Sequence, residues 1–254
     1  MVKLSKRHHE LRIAYYRYRL TQVAHGYFSV CRGKRCVYVT YDPQDSRVTR
    51  SNRRRYYTSS PKGKEYAKQI EEYIMIKAKL VDCLSAWKAT YLCEPTEIEF
   101  PLKKIRKDPI SREFFENAKP NQNALGNGEL THNQQFFRAK NEIIGAQIME
   151  ALDYLYKTEV LIDFDKFSHI CPDLLFYVPE IEKVLILEID GAIDADGYWF
   201  KSYNTTTKMI LAGFEEGKDF IVVRIGDGKK VDTELITQMI LSAIEASIND
   251  IIFD

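Results

Sequence analysis

Two short apolar runs organise the second half of the chain. Leu174-Leu175-Phe176-Tyr177-Val178 follows Cys171-Pro172-Asp173, and Val184-Leu185-Ile186-Leu187 leads into Glu188-Ile189-Asp190-Gly191. Aromatic and β-branched residues dominate both, and Pro179-Glu180 supplies a turn between them, so they read as two adjacent buried strands. Around them the pattern predicts further elements. Phe136, Phe137, Ile143, Ile144, Ile148, Ala151, Leu152 and Leu155 fit a helix over about 132–156, and Glu159–Asp163 fits a short strand. A loop over 191–197 holds Asp194 and Asp196, expected as caps for a helix at about 199–213. The run Phe220-Ile221-Val222-Val223-Arg224-Ile225 is a strand, the Gly226-Asp227-Gly228 turn comes next, and a last helix spans about 232–250. Helix, three strands, helix, strand, helix specifies an α/β sandwich around a small mixed sheet.

The front half has a different texture. Residues 4–20 predict a basic helix with Leu4, Leu11, Tyr15 and Tyr18 among the arginines Arg7, Arg12, Arg17 and Arg19. Strands at 26–30 and 36–41, joined at Arg32-Gly33-Lys34-Arg35, form a hairpin. Residues 47–55 read as a loop carrying Arg47, Arg50, Arg53, Arg54 and Arg55, with Tyr56 and Tyr57 beside it. Ser60-Pro61 then opens a long helix over 61–91. Its heptad positions Tyr66, Tyr73, Leu80 and Trp87, and Ile70, Lys77, Leu84 and Tyr91, should pack on the first helix. Residues 92–131 are less regular: Pro95, Pro101, Pro109 and Pro120 interrupt them, and 121–128 has the composition of a linker. The expected division is a basic hairpin-plus-long-helix region over 1–125 and an α/β domain over 126–254.

Composition changes this picture in one respect. The net charge is only +1, but residues 1–68 hold 17 Lys/Arg against 4 Asp/Glu, a charge of +13, while residues 69–254 carry −12. A basic front on an acidic chain suggests a polyanionic partner. The arginine cluster at 47–55 with its neighbouring tyrosines suits phosphate and base contacts, and a solvated basic loop without a partner is the plainer alternative. No apolar run approaches the roughly 18 residues of a membrane span. Five cysteines without a Cys-x-x-Cys pair argue against both a disulfide framework and a structural zinc site. A cytoplasmic protein with no membrane partner is the expectation, and a homodimer is compatible with it.

The chemistry lies in the acids. Buried strands should not carry bare carboxylates, because an unpaired buried charge costs several kcal/mol. Yet Asp173 opens one strand and Glu188 and Asp190 close the next, with Glu142 on the helix upstream. Oxygen ligands of this kind suit a hard divalent cation. Such a cation lowers the pKa of an attacking water and neutralises charge on a phosphoryl group. Asp173 and Glu188 are the expected direct ligands, and Glu142 a water-mediated or second-metal ligand.

At these residues the chain resembles the PD-(D/E)XK nuclease superfamily. Pro172-Asp173, fourteen residues, then Glu188-Ile189-Asp190 carries the likeness, together with the helix segment Arg138-Ala139-Lys140-Asn141-Glu142. The run from Glu188-Ile189-Asp190-Gly191 through Lys208-Met209-Ile210-Leu211-Ala212-Gly213 to Val222-Val223-Arg224 is most similar to very-short-patch-repair-like endonucleases. The resemblance covers roughly residues 132–226. It implies a restriction-endonuclease-like sandwich, an endonuclease acting on DNA (RNA being the alternative) with Mg²⁺ or Mn²⁺, and products bearing 5′-phosphate. The superfamily places a lysine two positions after the second acid, where this chain has Asp190. Lys208, on the helix after the sheet, is one candidate replacement, and a site without a catalytic lysine is the other. Asp190 is then either an additional metal ligand or a shaper of the Asp-Gly turn. His169 is expected as a structural histidine, with a general base as the alternative, and Tyr198 and Lys201 are open between helix-surface and substrate-facing roles. Two rival functions stand beside the nuclease: a catalytically inactive nucleic-acid-binding or regulatory protein on the same fold, and an interaction protein that oligomerises through the 61–91 helix.

Overall fold

The computed structural model describes residues 4–40, 49, 51–120, 130–164, 168–191, 198–226 and 230–253. The chain divides into two compact units, 1–101 and 102–254. The division falls after Pro101 and not near residue 125.

The first unit runs α1 (Lys6–Gln22), β1 (Gly26–Cys31), β2 (Lys34–Thr40), β3 (Arg53–Tyr57) and α2 (Pro61–Thr90). The hairpin closes on Arg32 and Gly33, both at positive φ (51° and 73°), so the turn takes two residues and pairs Cys31 with Lys34. The segment expected as an arginine loop contributes a third strand instead, with Arg53, Arg54 and Arg55 paired to Thr40, Val39 and Tyr38. Tyr56 and Tyr57 favour a pleated, half-buried strand, which the loop reading overlooks. Arg47 and Arg50 lie outside the described residues. One sheet face meets α2, where Val37, Val39 and Ile70 form a small core with Phe28, Tyr56 and Tyr66. The long helix begins at the Ser60 cap, whose hydroxyl accepts from the Gly63 N–H. It lies against α1 as its apolar spacing predicts, and His9 Nε2–H donates to the Cys83 carbonyl (3.0 Å).

The second unit contains β4 (Lys103–Lys104), α3 (Arg112–Asn117), β5 (Leu130–His132), β6 (Gln135–Phe137), α4 (Lys140–Ala151), β7 (Leu155–Thr158), β8 (Ile162–Asp163) and β9 (His169–Ile170). After these come β10 (Leu174–Val178), β11 (Lys183–Asp190), α5 (Tyr198–Leu211), β12 (Phe220–Arg224), α6 (Thr233–Ile248) and β13 (Ile251–Ile252). The two opening apolar runs are β10 and β11, the centre of a four-stranded sheet ordered β12-β11-β10-β7. Pairing is antiparallel except between β11 and β12, so the sheet is mixed. The sheet's two faces are both buried, which is why these strands read as continuous apolar runs rather than alternating ones.

Period two along the strands sorts the side chains. Leu175, Tyr177, Val184, Ile186, Phe220 and Val222 share a core with Met209 of α5 and Phe115 of α3. On the opposite face Leu174, Leu187 and Ile189 meet α4 at Gly145. Helix α4 is shorter than the pattern suggests. Residues 130–137 form the β5–β6 hairpin, turned by Asn133 and Gln134 at positive φ. Phe136 and Phe137 fit either period over so short a stretch. The expected strand at 159–163 survives only at its end, as β8: β7 stops at Thr158, and Glu159 sits between the two in the left-handed region (φ 50°).

Far from the acids, the start of β11 is held by charge. Lys183 and Asp219 are both buried and pair at 2.7 Å, and Asp219 also accepts from Arg106 (2.6 and 2.7 Å). Arg106 reaches Asp250 as well (2.9 Å), so the segment after Pro101 is tied into this unit. Among the described residues no helix is long and apolar enough to cross a membrane.

Gly145 sets how closely α4 approaches the sheet. A Cβ there would lie 2.7 Å from Leu174 Cδ1 and 2.8 Å from Ile189 Cδ1, both core atoms. Gly145→Val should cost about 1–3 kcal/mol in urea denaturation through overpacking. An unchanged midpoint would mean that the helix has room to spare.

Candidate active site

The carboxylates meet at one end of the sheet. The β10–β11 register places Asp173 opposite Glu188, just beyond the Leu174–Leu187 pair. Both share the face of Leu175 and Ile186, toward α5. Glu142 arrives from the other face, on the first turn of α4, so the acids converge around the strand ends rather than above the sheet. Together with Asp190 they line one cavity of about 540 Å³, whose far wall carries Ser202, Thr205 and Thr206 of α5.

Each acid is held by a specific donor. The Ile189 N–H donates to Asp173 Oδ2 (2.8 Å), which fixes the carboxylate across the strand pair. The Asp173 N–H points at Glu188 Oε2 (3.4 Å). Glu142, third residue of its helix, reaches back to the Arg138 N–H (2.8 Å), much as the acid of a capping box does. Asp190 accepts from the Ser202 hydroxyl, while its carbonyl accepts from the Ile225 N–H (2.8 Å). The Ser202 contact holds the Asp190 carboxylate against α5.

The structure adds one acid to those the sequence nominates. Glu159 is fully buried, and single oxygens of Glu142, Glu159 and Asp173 lie within 4.8 Å of one another. The Arg138 guanidinium pairs with Glu159 through Nε and approaches Asp173 Oδ1 through Nη2 (3.3 Å). Cys171 Sγ–H donates to the second Glu159 oxygen (3.3 Å). Asp173 thus belongs to two subsets, one with Glu142 and Glu159, the other with Glu188.

Burial and crowding act together on the charges of these acids. Burial, and after it the Glu142 carboxylate, pushes Asp173 up to about 7. Burial and then the negative charges of Asp173 and Asp190 carry Glu188 well above the usual carboxylate range. Burial also raises Glu159, against the pull of Arg138. Carboxylates concentrated this way, with one guanidinium beside them among the described residues, fit a divalent cation by ligand type.

Lys208 is elsewhere. It lines a separate cavity of about 830 Å³ with Phe114, Phe164 and Phe214, and it is not among the residues around the carboxylates. Helical geometry explains this. Ser202, Thr205, Thr206 and Met209 share one face of α5, and Lys208 projects roughly 100° around the helix from Met209. His169 does line the acidic cavity and is exposed. Asp194 and Asp196, and the side chains of Tyr198 and Lys201, lie outside what the structure describes.

No protein-family model matches the chain, and neither a curated protein nor a solved structure matches it.

The raised Asp173 value sets a sign for pH dependence. Between an unfolded value near 4 and the folded value of about 7, the folded chain keeps a proton that the unfolded chain has released. Stability contributed by that proton is present at low pH and is lost as pH rises through about 7. In EDTA the melting temperature should therefore fall from pH 5 to pH 8, and Asp173→Asn should flatten the fall. A variant with the same slope as the parent would show that Asp173 titrates normally.

Proposed function

We propose that residues from about 130 onward form a Mg²⁺-dependent endonuclease domain that hydrolyses DNA phosphodiester bonds, a restriction-endonuclease-like sandwich of the PD-(D/E)XK kind. The observation that supports this reading is the convergence of Glu142, Asp173 and Glu188, from a helix and two neighbouring strands, on one open cavity. Order and spacing along the chain nominate the same three acids. The sequence of elements α4, β7, β10, β11, α5, β12 around a mixed sheet accords with it.

Asp173 and Glu188 would hold the cation, with Glu142 and Glu159 within reach of Asp173. Bound there, Mg²⁺ supplies Lewis-acid stabilisation of the phosphoryl oxygens and a more acidic water. The chain's own groups do the positioning. The Ile189 N–H keeps Asp173 oriented, the Arg138 N–H keeps Glu142 oriented, and the α5 hydroxyls form a wall able to donate to phosphate oxygens. In the first unit Arg53 and Arg55 of β3 suit a nucleic-acid contact. Arg53 stacks over Tyr38 (4.5 Å to the ring centroid) and Arg55 over Tyr57 (5.4 Å), which limits the entropy lost on binding phosphate.

The second reading, a nucleic-acid-binding protein without catalysis, is favoured by Asp190 in the lysine's place and by Lys208 lying outside the cavity. Purified protein given linear, plasmid and branched DNA with Mg²⁺ or Mn²⁺ separates the two. Cleavage should appear, fall by about 10³-fold in Asp173→Ala and Glu188→Ala, and stay within about twofold in Lys208→Ala. Intact DNA under all these conditions, with salt-sensitive binding retained, would establish the second reading instead.

A further inference from the structure

We propose that Arg138 is the cationic group that contacts the scissile phosphate, and that buried Glu159 positions it; the inference rests on the nuclease reading above. Among the described residues around the acidic cavity, Arg138 is the one lysine or arginine. Its side chain is about a third exposed, so the guanidinium has an edge open to the cavity as well as an edge inside the protein.

The two edges are held differently. Nε pairs with Glu159, which no solvent reaches and whose other oxygen is taken by Cys171. That end is an ion pair with a buried carboxylate, held by charge and not by an aligned hydrogen bond. Nη2 lies 3.3 Å from Asp173 Oδ1, longer than the roughly 2.7–2.9 Å of a strong charge-assisted bond. This is the contact Arg138 can exchange. When the Asp173 oxygens serve a cation, the outer N–H groups of Arg138 become available to a phosphate, for which a planar guanidinium is well shaped.

The reaction has need of such a group. Hydrolysis forms a bond from the water oxygen to phosphorus and breaks the bond from phosphorus to the 3′ oxygen. The water gives up one proton, the departing 3′ oxygen takes one, and the other product retains the 5′-phosphate. Negative charge grows meanwhile on the non-bridging oxygens, where a lysine stands in the superfamily pattern. Asp190 cannot serve there, and Lys208 faces another cavity. The Arg138 backbone also fixes Glu142, so one residue couples the cation's ligands to the phosphate contact.

Arg138→Gln alone would leave Glu159 buried and uncompensated, so the informative protein is the double variant Arg138→Gln/Glu159→Gln, with Arg138→Lys beside it. Three quantities are compared with wild type: Mn²⁺ affinity by electron paramagnetic resonance, affinity for a fluorescent duplex of about 20 base pairs in Ca²⁺, and cleavage rate. The double variant should still bind Mn²⁺ through Asp173 and Glu188 and should bind the duplex about tenfold more weakly. It should cleave at least about 100-fold more slowly, with partial recovery in added guanidinium ion, and Arg138→Lys should fall between. Unchanged duplex affinity and cleavage would overturn the inference and leave the nuclease reading standing. A wild type that cleaves nothing, with duplex binding still weakened in the double variant, would overturn the nuclease reading and keep the phosphate contact. Absence of Ca²⁺-dependent duplex binding in wild type would overturn both.

Discussion

Mutual repulsion among buried carboxylates is the constraint on which the second unit depends. Asp173 stands between two groups of acids, and its cationic partner among the described residues is Arg138, at the end of a long contact. Left to themselves these side chains would separate or take up protons, and the raised Asp173 and Glu188 values express their burial first and the repulsion second. The fold prevents separation by attaching each acid to backbone that cannot move independently. Asp173 is tied across a strand pair, Glu142 is tied to Arg138 two residues ahead of its own helix, and Glu159 sits on a left-handed backbone. A left-handed conformation is uncommon for a residue with a side chain, and here it directs a carboxylate into the cluster.

The remainder of the unit supplies rigidity. Two apolar layers press on the central strands, one through Met209 and Phe115, the other through α4 at Gly145. At the opposite end of β11, Lys183, Asp219, Arg106 and Asp250 form a network that includes a buried ion pair. Such a pair adds little net stability beyond an apolar replacement, but breaking one partner is costly, so it fixes geometry more than it adds energy. With both ends of the strand fixed, the acids stay together although their charges oppose it.

Much of this is legible in the sequence because the relevant signals are local. Strands β10 and β11 are apolar runs bounded by a turn, helices α5 and α6 keep their period, and Asp173 and Glu188 announce themselves as charges in the wrong surroundings. The features that escape depend on contacts between distant segments. Glu159 meets the criterion applied to Asp173, since it precedes Val160-Leu161-Ile162, but its inward turn is a backbone conformation that no residue type signals. Arg138 is visible only as a neighbour of Glu142, whereas its side chain bridges to residues 21 and 35 positions away. For Lys208 the pattern shows that a helix comes after the sheet but not how that helix is rotated. The domain boundary is misplaced for a similar reason: prolines suggest a linker near residue 125, yet Arg106 binds the chain after Pro101 into the second unit. The short β5–β6 hairpin defeats periodicity altogether.

These acids assemble, in the reading proposed above, to hold a divalent cation beside an arginine that can turn to phosphate. A crystal of the full chain soaked in Mn²⁺ tests it directly through the metal's anomalous signal. The expected result is a peak within about 2–2.4 Å of carboxylate oxygens of both Asp173 and Glu188, with Arg138 withdrawn from Asp173 and still on Glu159. An empty cavity at saturating Mn²⁺, with Arg138 still paired to Asp173, would contradict it.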